Sequence, residues 1–256
     1  MPFHRYVALG DSFTEGVGDP DPDRSNGVRG WADRVAEVLA TTTADFGYAN
    51  LAIRGRTLQP IVDEQVEPAL ALDPDLVTIY AGANDVMRPR VDFDALATSY
   101  DDAVGKLSGS GARVVLFTAF DPSGSALHRP FRGRWALYNE VVREIADRHD
   151  ATLVDYWRMR EFRDWSLWSE DRLHMNAAGH QLMAMNVLDR LGVPHSLEPL
   201  PLAGKPSLTA RELRRANLIW ARAHALPWAH RRLTGRSSGD GISAKRPSLG
   251  PIDPLP

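Results

Sequence analysis

The chain has 256 residues, 43% hydrophobic and 25% charged, a composition that suits a globular protein with one full core or two small ones. It contains no cysteine, which excludes disulfides, thiolate zinc sites and a cysteine nucleophile. No stretch reaches the roughly 18 apolar residues of a membrane span, and the N-terminus lacks a secretory-signal pattern, so a cytoplasmic protein is the default expectation. The net charge of −3 hides an asymmetry. From residue 201 onward there are ten Lys/Arg against three Asp/Glu, a net of +7, leaving an acidic body of net −10.

Taken in order, five short apolar runs predict strands at Tyr6–Leu9, Tyr48–Ala52, Leu76–Ala81, Arg113–Phe120 and Thr152–Tyr156. They are near-continuous rather than alternating, as in parallel strands buried on both faces. Helical spacing follows each strand in turn, over Trp31–Leu39, Leu58–Leu70, Phe93–Leu107, Trp135–His149 and Ala177–Leu191. In the first, Trp31, Val35, Val38 and Leu39 share one face, with Asp33, Arg34 and Glu37 outside it. Five strand–helix alternations predict a doubly wound α/β sheet, in which ligands sit beyond the carboxyl ends of the strands. The Pro-rich stretch Val193–Pro206 ends the alternation. Residues 1–194 are therefore expected to form one domain, and 195–256 a linker, a basic amphipathic helix and an extended or disordered tail.

The strand ends carry the chemistry. After the first strand come Gly10, Asp11 and Ser12; after the second, "NLAIRGRT" places Gly55; after the third, "YAGANDVM" gives Asn84 and Asp85; after the fifth, "EDRLHMNAAGH" gives Asp171 and His174. Singly, each has an ordinary structural use. A loop glycine is usually a backbone device, and Asn-Asp after a strand is usually a turn or a helix cap. Together they supply what acyl transfer requires. Ser12 is a nucleophile in need of a base. His174 can take and return its proton, and Asp171 can fix the imidazole tautomer. The backbone N–H groups of Ser12 and Gly55, with the Asn84 amide, can donate to an oxyanion.

The ordered blocks "GDSFTEG", the glycine of "NLAIRGRT", "GAND" and "DRLH" resemble those of the SGNH hydrolase superfamily, the GDSL lipase/esterase family. The resemblance implies a three-layer α/β/α, flavodoxin-like domain with a five-stranded parallel sheet in the order 2-1-3-4-5. It also implies hydrolysis of carboxylic esters or thioesters, with Ser12, His174 and Asp171 as the triad and Ser12, Gly55 and Asn84 as oxyanion donors. A carbohydrate O-acetyl esterase is the alternative within the family, and a catalytically silent binding module is the alternative outside enzymes. Asp11 reads as a turn-stabilising partner rather than a catalytic acid. His180 has no assigned role and is expected to matter little.

No cofactor or metal is expected. There is no G-x-x-x-x-G-K-[ST], no G-x-G-x-x-G opening a helix and no H-E-x-x-H, and His174 and His180 do not share a helical face. The expected partner is a small-molecule ester, not nucleic acid. Loops after the fourth and fifth strands should wall the pocket, with Trp157, Phe162, Trp165 and Trp168 as candidate contacts. The C-terminal helix opens on Thr209-x-x-Glu212, a capping-box pattern, and should stop at Pro227. Its counter-charge is nearest on the acidic body, so docking there, with Trp220 buried, is expected ahead of contact with a membrane or nucleic acid.

Overall fold

The computed structural model describes residues 2–124, 128–202, 204, 209–234 and 236–253. Residues 125–127 of the loop after the fourth strand, most of 203–208 and the final 254–256 therefore lie outside the described residues.

In chain order the elements are β1 (Arg5–Gly10), α1 (Ser12–Glu15), α2 (Gly30–Thr42), β2 (Gly47–Asn50), α3 (Leu58–Ile61), α4 (Glu67–Ala71) and β3 (Leu76–Tyr80). Next come α5 (Ala83–Val86), α6 (Phe93–Gly109), β4 (Arg113–Phe117), α7 (Arg132–Arg148), β5 (Thr152–Val154) and α8 (Ala177–Leu191). The chain closes with α9 (Ala210–Trp220), α10 (Leu226–Leu233) and β6 (Arg246–Gly250). The sheet order is β5-β4-β3-β1-β2-β6. Its first five members are parallel and follow the expected order.

β1 is central, and Tyr6 to Leu9 are buried on both faces, which explains a strand without polar alternation. Helix α2 packs against α8 on one face of the sheet, while α6 lies beside α3 and α7 on the other. The three-layer α/β/α architecture follows.

Two features differ from the sequence reading. The tail is not left outside the fold, because β6 pairs antiparallel with β2, matching Tyr48 to Gly250 and Asn50 to Arg246 across a register shift. Its sequence, Arg-Pro-Ser-Leu-Gly, has no apolar run to announce a strand, and Pro247 is tolerated because β6 is an edge. The second difference is that the helix does not stop at Pro227. A π turn, Ala221–Ala225, joins α9 to α10, and the proline falls in the first turn of α10. The same device joins α3 to α4, where the π turn Val62–Val66 precedes Pro68. A proline lacks an N–H and crowds the carbonyl four residues back; a π turn just ahead of it relaxes that register.

Candidate active site

Ser12 opens the one-turn helix α1, directly beyond the carboxyl end of β1. Asp11 caps that helix, its Oδ1 accepting from Phe13 N at 3.0 Å. On the far side of the cleft, the segment before α8 folds around the Asp171 carboxylate. Asp171 Oδ1 accepts from Leu173 N (2.9 Å), His174 N (3.0 Å) and Ser169 Oγ (2.6 Å). The other oxygen, Oδ2, lies 2.5 Å from His174 Nδ1, and His174 Nε2 lies 2.9 Å from Ser12 Oγ. With Nδ1–H donating to Asp171, Nε2 is left to accept from the serine hydroxyl. Burial alone would raise the Asp171 carboxyl; hydrogen bonds from His174 and Ser169 and the charge on His174 outweigh it and hold it well below the usual carboxylate range.

Of the predicted oxyanion residues, Ser12 and Asn84 line one cavity, and Gly55 adjoins it through its neighbour Arg56. Asn84, in α5 after β3, donates from Nδ2 to Asp11 Oδ2 (2.8 Å) and to the Arg56 carbonyl (2.9 Å). It thereby ties the residue before Ser12 to the residue after Gly55. Asp85 does the ordinary capping work, accepting from Leu58 N at 2.9 Å at the start of α3.

A cavity of about 60 Å³ opens beside Ser12, Asn84 and His174, walled by Phe13, Tyr80, Phe120, Trp135, Tyr156 and Trp168. At ~10–15 Å³ per water, it holds only a few. Of the four loop aromatics singled out from the sequence, Trp168 reaches this wall. Phe162 and Trp165 border a smaller neighbouring hollow, and Trp157 instead stacks under Arg132 at 5.5 Å. Among the described residues, no group of three or more His, Cys, Asp or Glu side chains could hold a metal ion.

Three residues escaped the sequence reading. His180 is fully buried; its Nδ1 accepts from Trp31 N (3.1 Å) and its Nε2 donates to the Val17 carbonyl (3.2 Å). It braces the loop behind the nucleophile rather than standing idle. Glu15, also fully buried, forms an ion pair with Arg54, the neighbour of Gly55. Lys245, from the C-terminal segment, donates to Glu15 O (2.7 Å), Arg29 O (2.6 Å) and Asp33 Oδ2 (3.0 Å). Each is a polar residue whose partner lies far along the chain, so no local pattern marks it.

A parallel α/β sheet with a serine, a histidine and an acid hydrogen-bonded in series at its carboxyl end has the architecture of a hydrolase. The chain belongs to the GDSL-like lipase/acylhydrolase family, whose model matches residues 8–182, and it is an esterase of that SGNH type. It is 26% identical over 206 residues to an acetylxylan esterase of Geobacillus stearothermophilus, a match covering 73% of this chain and 94% of that protein. Its fold is similar to the crystal structure of an α/β hydrolase from the metagenome of Lake Arreo, Spain (TM-score 0.63, 23% identity, covering 75% of this chain and 97% of that one). It is also similar to the crystal structure of the Geobacillus stearothermophilus acetylxylan esterase (TM-score 0.61, 22% identity, 75% and 95% covered). No helix among the described residues is long and apolar enough to cross a membrane.

Proposed function

We propose that this protein hydrolyses carboxylic esters of short acyl chains, O-acetyl groups on carbohydrates foremost, through an acyl-enzyme on Ser12. The observation that carries the reading is the hydrogen-bonded series Ser12–His174–Asp171 at the mouth of a small aromatic cavity. In this scheme Ser12 Oγ attacks the ester carbonyl carbon while His174 Nε2 takes its proton. Asp171 keeps Nδ1 protonated and stabilises the imidazolium. The tetrahedral oxyanion is met by Ser12 N and Gly55 N, and by the Asn84 amide once one of its two N–H groups swings from Asp11 or the Arg56 carbonyl to the oxyanion. Collapse expels the alcohol, protonated by His174, and water then releases the acid by the same steps in reverse.

The small cavity supports an acetyl-sized group over a fatty acyl chain. The named activity of the 26%-identical relative supports a carbohydrate ester. The test is a series of 4-nitrophenyl esters from acetyl to palmitoyl, run beside acetylated xylo-oligosaccharides. Activity should be greatest at acetyl. Ser12→Ala should lower kcat by ~10⁴–10⁶-fold, and a fluorophosphonate should label Ser12. Labelling elsewhere, with activity retained in the variant, would refute the scheme.

A further inference from the structure

The family model ends at residue 182, and nothing in it accounts for the C-terminal segment. Yet that segment lies on the turn that presents Gly55. Gly55 has φ +76°, and a methyl built on it would come within 2.4 Å of Ser237 Oγ and 2.8 Å of Ser238 Oγ. One residue on, a methyl built on Gly239 would lie 2.2 Å from the Arg54 carbonyl and 2.9 Å from Ile53 Cγ2. At Gly239 backbone therefore rests on backbone, while at Gly55 two serine hydroxyls cover a residue whose left-handed backbone favours glycine.

The same turn is also held by Glu15, the last residue of α1. Its carboxylate accepts from Arg54 N (2.6 Å), Arg54 Nε (3.0 Å) and Arg54 Nη2 (2.6 Å). The segment is fastened to this helix as well. Asn26 Nδ2 bridges Glu15 Oε1 (3.1 Å) and the Ser243 carbonyl (3.0 Å), and Lys245 donates to the Glu15 carbonyl. The turn that holds Gly55 is thus in contact with both the helix that begins with Ser12 and a strap bonded to that helix.

We propose that residues 236–250 are a positioning element of the active site, a strap that fixes Gly55 N relative to Ser12. The proposal rests on the role given to Gly55 above. A donor displaced by about an ångström loses much of its worth in the transition state, while substrate binding through the cavity wall is spared. A merely structural tail would alter stability without altering that balance.

The experiment uses the full chain. Gly239→Val drives the strap off the Arg54 carbonyl. Ser237→Ala with Ser238→Ala removes the hydroxyls over Gly55 and adds no bulk, so it keeps the question open if the valine variant fails to fold. Both are assayed with 4-nitrophenyl acetate and with phenylboronic acid, whose tetrahedral adduct on Ser12 places an oxygen among the oxyanion donors. The expected result for Gly239→Val is kcat lowered at least ~10-fold with KM within about threefold, and the boronate Ki raised in step with the kcat loss. The double alanine variant should shift the same way by a smaller factor. Folded variants with kcat and Ki within twofold of the parent, or with KM rising as much as kcat falls, would overturn the strap. A parent that hydrolyses no ester and binds no boronate would overturn the esterase reading instead.

Discussion

Asp11 accepts from Phe13 N and Asn84 Nδ2, yet burial pushes its carboxyl up to about 7, and the Phe13 hydrogen bond and the charge on His174 recover only part of the difference. Its value in the fold stands above the 3.8 of a free carboxyl. Its contribution to stability is therefore complete below about pH 4 and is lost as the pH rises through about 7. His180 acts with the opposite sign. Burial pushes it down to about 3 from 6.5, so its contribution is complete above pH 6.5 and is lost as the pH falls towards 3. Thermal melts across pH 3–9 separate the two. The two windows overlap with opposite signs, so Asp11→Asn should remove a decline between about pH 4 and 7 and leave stability rising more steeply there, and His180→Gln should remove the rise between about pH 3 and 6.5. Identical pH slopes in parent and Asp11→Asn would show that the carboxyl titrates elsewhere. His180→Ala should also lower Tm at neutral pH, because Trp31 N and the Val17 carbonyl lose their partners, at ~1–3 kcal/mol for each orphaned group.

At the scale of elements, the extension helix makes a lighter contact than its sequence suggested. Arg172, in the turn between Asp171 and His174, donates from Nη1 to Asn217 Oδ1 (2.9 Å) and lies 4.7 Å over the Trp220 ring. Trp220 is only partly covered, and Leu218, Ile219 and Leu226 are 59–65% exposed. An exposed cation–π contact contributes ~0.5–1 kcal/mol. Amide hydrogens of 210–233 should therefore exchange far faster than those of β1 and β3, and Trp220→Ala should quicken them further. Lys245 is the firmer anchor. Its ammonium and the Asp33 carboxylate are both buried, so Lys245→Met should cost ~3–5 kcal/mol by stranding Asp33. Asp33→Asn in the same chain should recover part of that loss, as measured by denaturant melts. Strands and long helices were legible because each carries its own apolar period; the Ala177–Leu191 helix has the same bounds in both readings. Ser12, Asp171 and His174 were legible because their motifs are contiguous. β6 was not, since an edge strand of Arg, Pro, Ser, Leu and Gly is defined by its neighbour rather than by itself. Nor were the π turns at Val62–Val66 and Ala221–Ala225, because helical spacing barely changes across five residues.

For the molecule as a whole, the chain's two charge regimes meet in one body. The basic C-terminal region does not stand apart from the acidic one: Lys245 is buried against Asp33, and Ile252 joins the core. The position of β6 has a further consequence, for how copies of the chain behave together. Behind it lies β2, Gly-Tyr-Ala-Asn, with no proline and no charge. Uncovered, β2 would offer unpaired N–H and C=O groups as a template for another chain. β6 offers less: it carries Pro247 and an arginine, and its pairing is irregular. A chain cut after residue 235 should therefore scatter more light with rising concentration than the intact chain, and a lysine at Ala49 should not be needed to keep the intact chain dispersed. Equal scattering by the two would mean that β2 is shielded by something other than β6. By this reasoning the last strand is the sheet's guard against self-association, and a nick in the loop before it would show first as turbidity.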